Sequence, residues 1–173
     1  MVVIDSTAGN RHIYGGRLHS DLNIEEEEII FIDIEYGLKV PPTIFADNTK
    51  LPIREGVVKT YIYDPPYWFF GSSKWHGDPK EASGSFWGNF KNQGNLNRLL
   101  RGASQEMKRT LKMGGEVFVK WCDGAIAWDN TVGKCKPWAF FYWSFREVSR
   151  EEWESKSGRT KHVTRWIRFT RVA

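Results

Sequence analysis

A carboxylate, two prolines and an aromatic ring follow one another in the tetrapeptide Asp64-Pro65-Pro66-Tyr67. A carboxylate accepts hydrogen bonds from an amino group. Consecutive prolines fix φ and lack backbone N–H groups, so the turn is stiff and its carbonyl oxygens are free to accept hydrogen bonds. Tyr67 and the following Trp68 offer aromatic faces on which a flat heterocycle can stack. These residue types make the tetrapeptide the first candidate for a functional site.

Apolar segments that end in carboxylates lead up to this tetrapeptide. The four predicted strands span residues 1–5, 29–35, 43–47 and 59–64. Because these runs are nearly continuously apolar, they favour a sheet that is buried on both faces, with parallel strands and helical crossovers. In such sheets the ligand crevice lies outside the carboxyl ends of the strands, so we expect the terminal carboxylates to meet along one edge. They belong to Asp5, Asp33, Asp47 and Asp64.

The middle of the chain continues with a loop, a helix and a fifth strand. Residues 68–95 are rich in Gly, Ser, Asn, Lys and aromatic side chains without a steady period, which predicts a long loop on the substrate side of the site. Residues 96–111 carry apolar side chains at helical spacing, and Gly114-Gly115 is predicted to end this helix. The apolar run over residues 116–121 predicts the next strand.

Two aromatic, alternating runs complete the chain. They cover residues 138–148 and 162–172, and the polar segment 149–160 separates them. This pattern predicts an antiparallel pair that closes one edge of the sheet. With 173 residues, 40% of them hydrophobic, we expect one domain over residues 1–173. The predicted fold class is α/β, with a mostly parallel sheet, helices on both faces and a C-terminal antiparallel strand pair.

Several classes of protein are disfavoured by the composition. No apolar stretch reaches the roughly 20 residues that a membrane helix needs, and the N-terminus lacks the pattern of a secretory signal. We therefore expect a soluble, cytoplasmic protein without a membrane partner. Cys122 and Cys135 lack zinc-binding spacing, so no metal and no disulfide framework are expected. A net charge of +4 with a basic C-terminal end suits an anionic partner but does not by itself indicate nucleic acid.

The tetrapeptide resembles motif IV of the DNA and RNA amino-methyltransferases, which is written Asp/Asn/Ser-Pro-Pro-aromatic. The segment from Asp5 to Gly9 looks like the first, cofactor-binding motif of that family, and Ala46-Asp47 is similar to the position of its adenine-binding acid. Similar motifs follow in the family's order over nearly the whole chain. The resemblance implies a single-domain class I methyltransferase-like (Rossmann-like) fold and S-adenosylmethionine as the cofactor.

The resemblance also implies roles for individual residues. The Asp64 carboxylate and the Pro65 carbonyl would accept hydrogen bonds from the acceptor amine and aim its lone pair at the methyl sulfonium. The catalytic residues are thus Asp64, Pro65, Pro66 and Tyr67, and the substrate-binding residues are Tyr67 and Trp68. Asp33 would accept hydrogen bonds from the ribose and Asp47 from the adenine amine. The implied cofactor-binding residues are Asp5, Ala8, Gly9, Asp33, Asp47 and Asn48.

The predicted activity is methyl transfer to an exocyclic amino nitrogen of a nucleic-acid base. DNA, at adenine N6 or cytosine N4, is favoured over RNA, at guanine N2 or adenine N6. Since no segment is large enough for a target-recognition domain, we expect low sequence specificity, a partner subunit that supplies recognition, or an RNA target recognised by shape.

Two alternatives stay open. Asn10-Arg11-His12 stands where the family loop commonly carries a further glycine. This departure leaves room for a non-catalytic module that keeps the fold and binds nucleic acid or a partner. The other alternative is methylation of a protein amide, although the related motif then begins with Asn and this chain has Asp64.

Overall fold

A computed structural model describes residues 2–8, 29–65, 93–123, 126–130, 136–157 and 160–173. The strands within these ranges form one seven-stranded sheet in the order β3-β2-β1-β4-β5-β7-β6. The strands are β1 (Val3–Asp5), β2 (Ile29–Asp33), β3 (Ile44–Phe45), β4 (Val58–Tyr63), β5 (Leu111–Cys122), β6 (Phe145–Ser157) and β7 (Thr160–Arg171). The first five are parallel, whereas β7 runs antiparallel to both β5 and β6.

The parallel half of the sheet aligns the strand ends that the sequence analysis singled out. Within it, β1 lies between β2 and β4, and Asp5 stands level with Phe31 on one side and Ile62 on the other. The short strand β3 adds to the outer side of β2. The predicted mixed α/β sheet is therefore confirmed, and the carboxyl ends of β1 to β4 lie along one edge.

The two faces of the sheet bury different side chains. The helix α1 (Gln93–Thr110) buries a stripe that includes Leu96, Leu100 and Met107, which joins the main core with Tyr61. Near the end of this helix the Tyr61 hydroxyl and Thr110 Oγ1 are hydrogen-bonded at 2.6 Å. The alternate residues of the strands form a smaller cluster, to which Val3, Ala8, Ile29, Phe31 and Ile62 belong.

The boundary between α1 and β5 differs from the prediction. The helix begins at Gln93, inside the predicted 68–95 loop, and β5 follows directly at Leu111. Gly114 and Gly115 lie within β5 rather than at a helix end, where the register with β4 shifts. Gly114 has φ of 71°, and a Cβ at Gly115 would lie 2.9 Å from a backbone oxygen of β4. The two glycines thus permit a bulge.

The antiparallel pair is confirmed, but its first strand lies further along the chain than predicted. Residues 149–157 of the predicted polar separator belong to β6, while Trp138 lies in a short 3-10 helix, Pro137–Phe140. Because β6 is the edge strand, its charged side chains remain in contact with water, and Glu154 pairs with Lys161 of β7 at 2.9 Å. A polar composition therefore did not exclude a strand. No helix in the described ranges is long and apolar enough to cross a membrane.

Candidate active site

Asp64 follows β4 directly, and its neighbour on β5 is a lysine. The register pairs Tyr63 with Val119, so the next residues, Asp64 and Lys120, adjoin each other. Lys120 Nζ donates to Asp64 Oδ2 at 2.8 Å, and the side chains of Lys120 and Asp64 are only 20% and 9% exposed. The predicted catalytic carboxylate is therefore half of a shielded ion pair.

The second oxygen of Asp64 has no hydrogen-bond partner among the described residues. Oδ1 is buried and accepts no hydrogen bond from the described residues. Burial raises the pKa of the Asp64 carboxyl above its ordinary value, and the charge and hydrogen bond of Lys120 offset part of that rise. A buried acceptor without a donor is unfavourable, so this oxygen suits an incoming N–H or O–H group.

Thr7 connects Asp64 to the loop that follows β1. The backbone N–H of Asp64 donates to Thr7 Oγ1 at 2.7 Å. The backbone N–H of Thr7 donates in turn to Asp5 Oδ1 at 2.9 Å. Asp5 is completely buried, so its carboxylate holds this loop from below. A further bond, from the Ser6 N–H to the Ile62 carbonyl at 3.3 Å, ties the ends of β1 and β4 together.

The predicted cofactor-binding residues occupy three neighbouring loops. The N–H of the buried Ala8 donates to the Ile32 carbonyl at 3.2 Å. Asp33, half-buried at the end of β2, accepts the Glu35 N–H at 2.9 Å. Asp47 is exposed after β3, and its Oδ1 accepts the N–H and hydroxyl of Thr49 at 2.8 and 2.7 Å.

The loop after β3 and the end of β4 each carry a buried polar group. Burial raises the pKa of the Tyr63 hydroxyl above its ordinary value, and the negative charge of Asp47 raises it further. The side-chain oxygen of Asn48 and the Tyr63 hydroxyl are both buried, and neither has a hydrogen-bond partner among the described residues. Asn48 in this loop and Tyr63 at the end of β4 thus contribute one such group each.

Helix α1 fastens this loop in place. Glu106 Oε2 accepts the Leu51 N–H at 2.8 Å, and Arg109 donates to the carbonyls of Ile53 and Leu51 at 2.8 and 3.1 Å. Glu106 and Arg109 also pair with each other at 2.7 Å, which lowers the pKa of Glu106. These contacts fix the path of the chain just after Asp47 and Asn48.

The described residues fit a polar ligand along the carboxyl edge. Buried side-chain atoms that lack a described partner occur in the loop after β1, the loop after β3 and the end of β4. They are Ser6 Oγ, Asn48 Oδ1, Tyr63 Oη and Asp64 Oδ1. Hydroxyl and amide groups can donate or accept, and a carboxylate accepts, so the set suits a ligand that carries hydroxyl and amino groups.

The structure places only part of the predicted site. Pro65 is buried beside Asp64. Gly9, Pro66, Tyr67, Trp68 and the segment Asn10-Arg11-His12 lie outside the described residues. The roles assigned to the remaining residues stay predictions.

Sequence reasoning missed the residues that hold the site. Lys120 had a recognisable signal, since it is the one charged residue in the apolar run Val117–Trp121. Thr7 had none, because its contact with Asp64 depends on how β1 and β4 pair. Glu106 and Arg109 were also missed, since their partners are more than 50 residues away in the chain.

No family model matches the sequence, and its comparison with curated proteins also found no match. The structure, however, is similar to solved methyltransferases. The similarity to an S-adenosylmethionine-dependent methyltransferase from Methanosarcina mazei covers 99% of this chain and 92% of that one, at 10% identity and a TM-score of 0.59. The similarity to the N-methyltransferase NodS from Bradyrhizobium japonicum covers 99% of this chain and 85% of NodS, at 12% identity and a TM-score of 0.57. The similarity to a geranyl diphosphate methyltransferase covers 99% of this chain and 71% of that one, at 9% identity and a TM-score of 0.55.

These similarities extend over almost the whole chain, including the parallel strands and the antiparallel end of the sheet. The chain therefore has a class I methyltransferase-like α/β fold. The names of the similar proteins include different acceptors, so the similarity does not indicate which acceptor this chain uses.

Proposed function

We propose that the protein transfers a methyl group from S-adenosylmethionine to an amino nitrogen that is hydrogen-bonded to Asp64. The observation that carries this proposal is the second carboxylate oxygen of Asp64. It is buried at the carboxyl end of β4, and no described residue donates to it. In a fold shared with methyltransferases, an unfilled acceptor at this edge suits the group that receives the methyl.

The polar atoms along the edge support the choice of cofactor. S-adenosylmethionine, when bound, supplies an electrophilic methyl group on a positively charged sulfur. Asp33 would accept from its ribose hydroxyls, Asp47 and Asn48 would face its adenine, and Ala8 with Gly9 would line its path. NodS, whose fold is similar, has been crystallised with S-adenosyl-L-homocysteine.

Asp64 would act by placing the acceptor nitrogen. An exocyclic amine on a base is a poor nucleophile because its lone pair is delocalised into the ring. A hydrogen bond to Asp64 Oδ1 pulls the nitrogen toward tetrahedral geometry and directs its lone pair at the methyl carbon. Bound S-adenosylmethionine would supply the methyl group, so that the N–C bond would form as the C–S bond breaks and the electron pair of the C–S bond would stay on sulfur. The nitrogen then releases one proton, for which Asp64 Oδ1 is the hydrogen-bonded acceptor.

A nucleic-acid base is the proposed carrier of this amino group. The support comes from the sequence of the tetrapeptide, in which two stiff prolines and an aromatic ring follow the carboxylate, as in the amino-methyltransferases of DNA and RNA. DNA is the first candidate and RNA the second. Recognition of the target through a partner subunit, or by the shape of an RNA, belongs to the same proposal.

Two measurements test the proposal. Calorimetric titration with S-adenosylmethionine is expected to show binding, whereas the absence of heat at millimolar cofactor would favour a non-catalytic module. The protein is then incubated with methyl-labelled cofactor and separate pools of DNA, RNA, protein and small amines. We expect label in DNA or RNA, which nucleoside mass spectrometry assigns to an N-methylated base. Label only in protein or in small amines would refute the nucleic-acid acceptor.

A further inference from the structure

We infer that Lys120 is a positioning residue for methyl transfer, which holds one oxygen of Asp64 so that the other faces the acceptor amine. The inference rests on the proposed function and adds to it a residue outside the motifs that the sequence carries. It follows from the ion pair, its burial and the different surroundings of the two carboxylate oxygens.

The strand register brings this lysine to Asp64. Asp64 and Lys120 adjoin each other across β4 and β5, and the antiparallel register places Trp166 of β7 on the other side of Lys120. Lys120 is flanked in sequence by the fully buried Val119 and Trp121, whose side chains belong to the main core. Lys120 thus lies between β4 and β7, with Trp166 as its neighbour on β7, and its ammonium group contacts the Asp64 carboxylate.

Three contacts fix Asp64. Its Oδ2 accepts a hydrogen bond from Lys120 Nζ at 2.8 Å, and its backbone N–H donates to Thr7 Oγ1 at 2.7 Å. The next residue, Pro65, has a fixed φ and is buried. With the backbone and Oδ2 both fixed, the direction in which Oδ1 points is also fixed. A misplacement of about 1 Å in such a contact can reduce turnover roughly 100-fold.

Lys120 also favours the charged form of the carboxylate over the protonated form. Burial favours the protonated form of Asp64, and a protonated carboxyl would place a donor where the acceptor amine also presents donors. The nearby ammonium works against this protonation. Asp5 is also close to this site, and its carboxylate accepts a hydrogen bond from the N–H of Thr7, whose hydroxyl accepts from Asp64.

A structural ion pair alone would not explain this arrangement. Burying two charges removes them from water, and the loss of hydration offsets much of their attraction, so such pairs contribute little net stability. An apolar residue at position 120 would fit the apolar run between Val119 and Trp121. The lysine therefore suits a role in orienting Asp64 better than a role in holding the sheet.

Steady-state kinetics of Lys120→Met and Lys120→Arg test this role, with labelled cofactor and the DNA or RNA pool that the wild type methylates. In Lys120→Met we expect kcat to fall roughly 100-fold, while the Kd for S-adenosylmethionine changes less than about threefold. Lys120→Arg still donates to Oδ2, so its kcat should lie within about tenfold of the wild-type value. The matched control is Lys112→Met, an exposed lysine at the start of the same strand, and it should keep wild-type turnover.

A second measurement does not depend on turnover. With 13C-labelled aspartate, the carboxyl resonance of Asp64, assigned by its loss in Asp64→Asn, is followed through a pH titration of the wild type and of Lys120→Met. In Lys120→Met it should move toward the protonated form. If Lys120→Met does not fold, Lys120→Gln replaces it, since the amide donates to Oδ2 without a charge and should show the same change in smaller degree.

The outcomes separate the two proposals. A wild-type protein that binds the cofactor but labels no pool refutes the proposed function, whatever the variants show. Unchanged kcat in Lys120→Met, in a wild type that is active, refutes the positioning role. An Asp64 resonance that is the same in the wild type and in Lys120→Met refutes it as well.

Discussion

Replacing Asp64 with asparagine reverses the hydrogen-bonding polarity of the site. Asparagine has nearly the same shape, but one carboxylate oxygen becomes an amino group. Lys120 Nζ, which lies 2.8 Å from one oxygen of Asp64, can only donate, so it will draw the remaining oxygen of the amide to itself. The amide NH2 then takes the position of Oδ1 and presents hydrogens to an acceptor amine that also presents hydrogens.

The size of the effect follows from the contacts that change. A hydrogen bond to a charged acceptor contributes about 1.5–3 kcal/mol, and a buried donor left without a partner costs about 1–3 kcal/mol. Together they give about 4 kcal/mol, which corresponds to a roughly 1000-fold lower kcat/KM. Cofactor affinity should change little, because Asp64 acts on the acceptor.

The assay compares kcat/KM for methyl transfer with the Kd for S-adenosylmethionine in Asp64→Asn and the wild type. Glu151→Gln serves as the matched control, since this acid is exposed on the edge strand β6. We expect the control to behave as the wild type. If Asp64→Asn keeps kcat/KM within about threefold of the wild type, the role of Oδ1 as the amine acceptor is wrong.

Three further predictions concern the frame around this carboxylate. Asp33→Ala should weaken the binding of S-adenosylmethionine in calorimetry by about tenfold or more, because it removes the acceptor for the ribose hydroxyls. Leu100→Ala should lower the free energy of unfolding by about 2–5 kcal/mol in urea denaturation, since Leu100 is completely buried between α1 and the sheet. Glu106→Gln should be less stable than the wild type at pH 7. This difference should vanish as the pH falls, because the folded-state pKa of Glu106 is lowered and the stability of its ionised form is lost below that pKa.

Each of these three has a result that would contradict it. Unchanged cofactor affinity in Asp33→Ala would remove that acid from the cofactor site. A Leu100→Ala midpoint equal to that of the wild type would mean that α1 contributes little to the core. A stability difference in Glu106→Gln that grows as the pH falls would contradict the sign of the pKa change.

The carboxyl ends of the parallel strands could be predicted well from the sequence, because these strands are short and are followed by charged residues. The apolar runs before Asp5, Asp33 and Asp64 form β1, β2 and β4, and each of these strands ends at the acid or one residue before it, so composition marks the strand ends directly. The parallel order follows from the same runs, since a strand that is apolar on both faces must be covered on both.

The contacts between distant segments could not be predicted in this way. The pairing of Asp64 with Lys120 depends on a register that shifts between Val58 and Thr60, and no local pattern encodes that shift. Gly114-Gly115 is a common signal for the end of a helix. Here the same two residues open a bulge in a strand, because α1 passes into β5 without a loop.

The close approach of Gly102 to Thr49 restricts which substitutions the chain can accept. A Cβ at position 102 would lie 2.7 Å from the Cβ of Thr49. Glycine in the middle of a helix costs about 1 kcal/mol relative to alanine, so local helix preference alone would select against it. Because this contact is with the Cβ itself, alanine at 49 would not relieve it, whereas glycine would. A side chain at 102 is therefore expected together with glycine at 49, and the two positions should vary jointly among descendants of this protein.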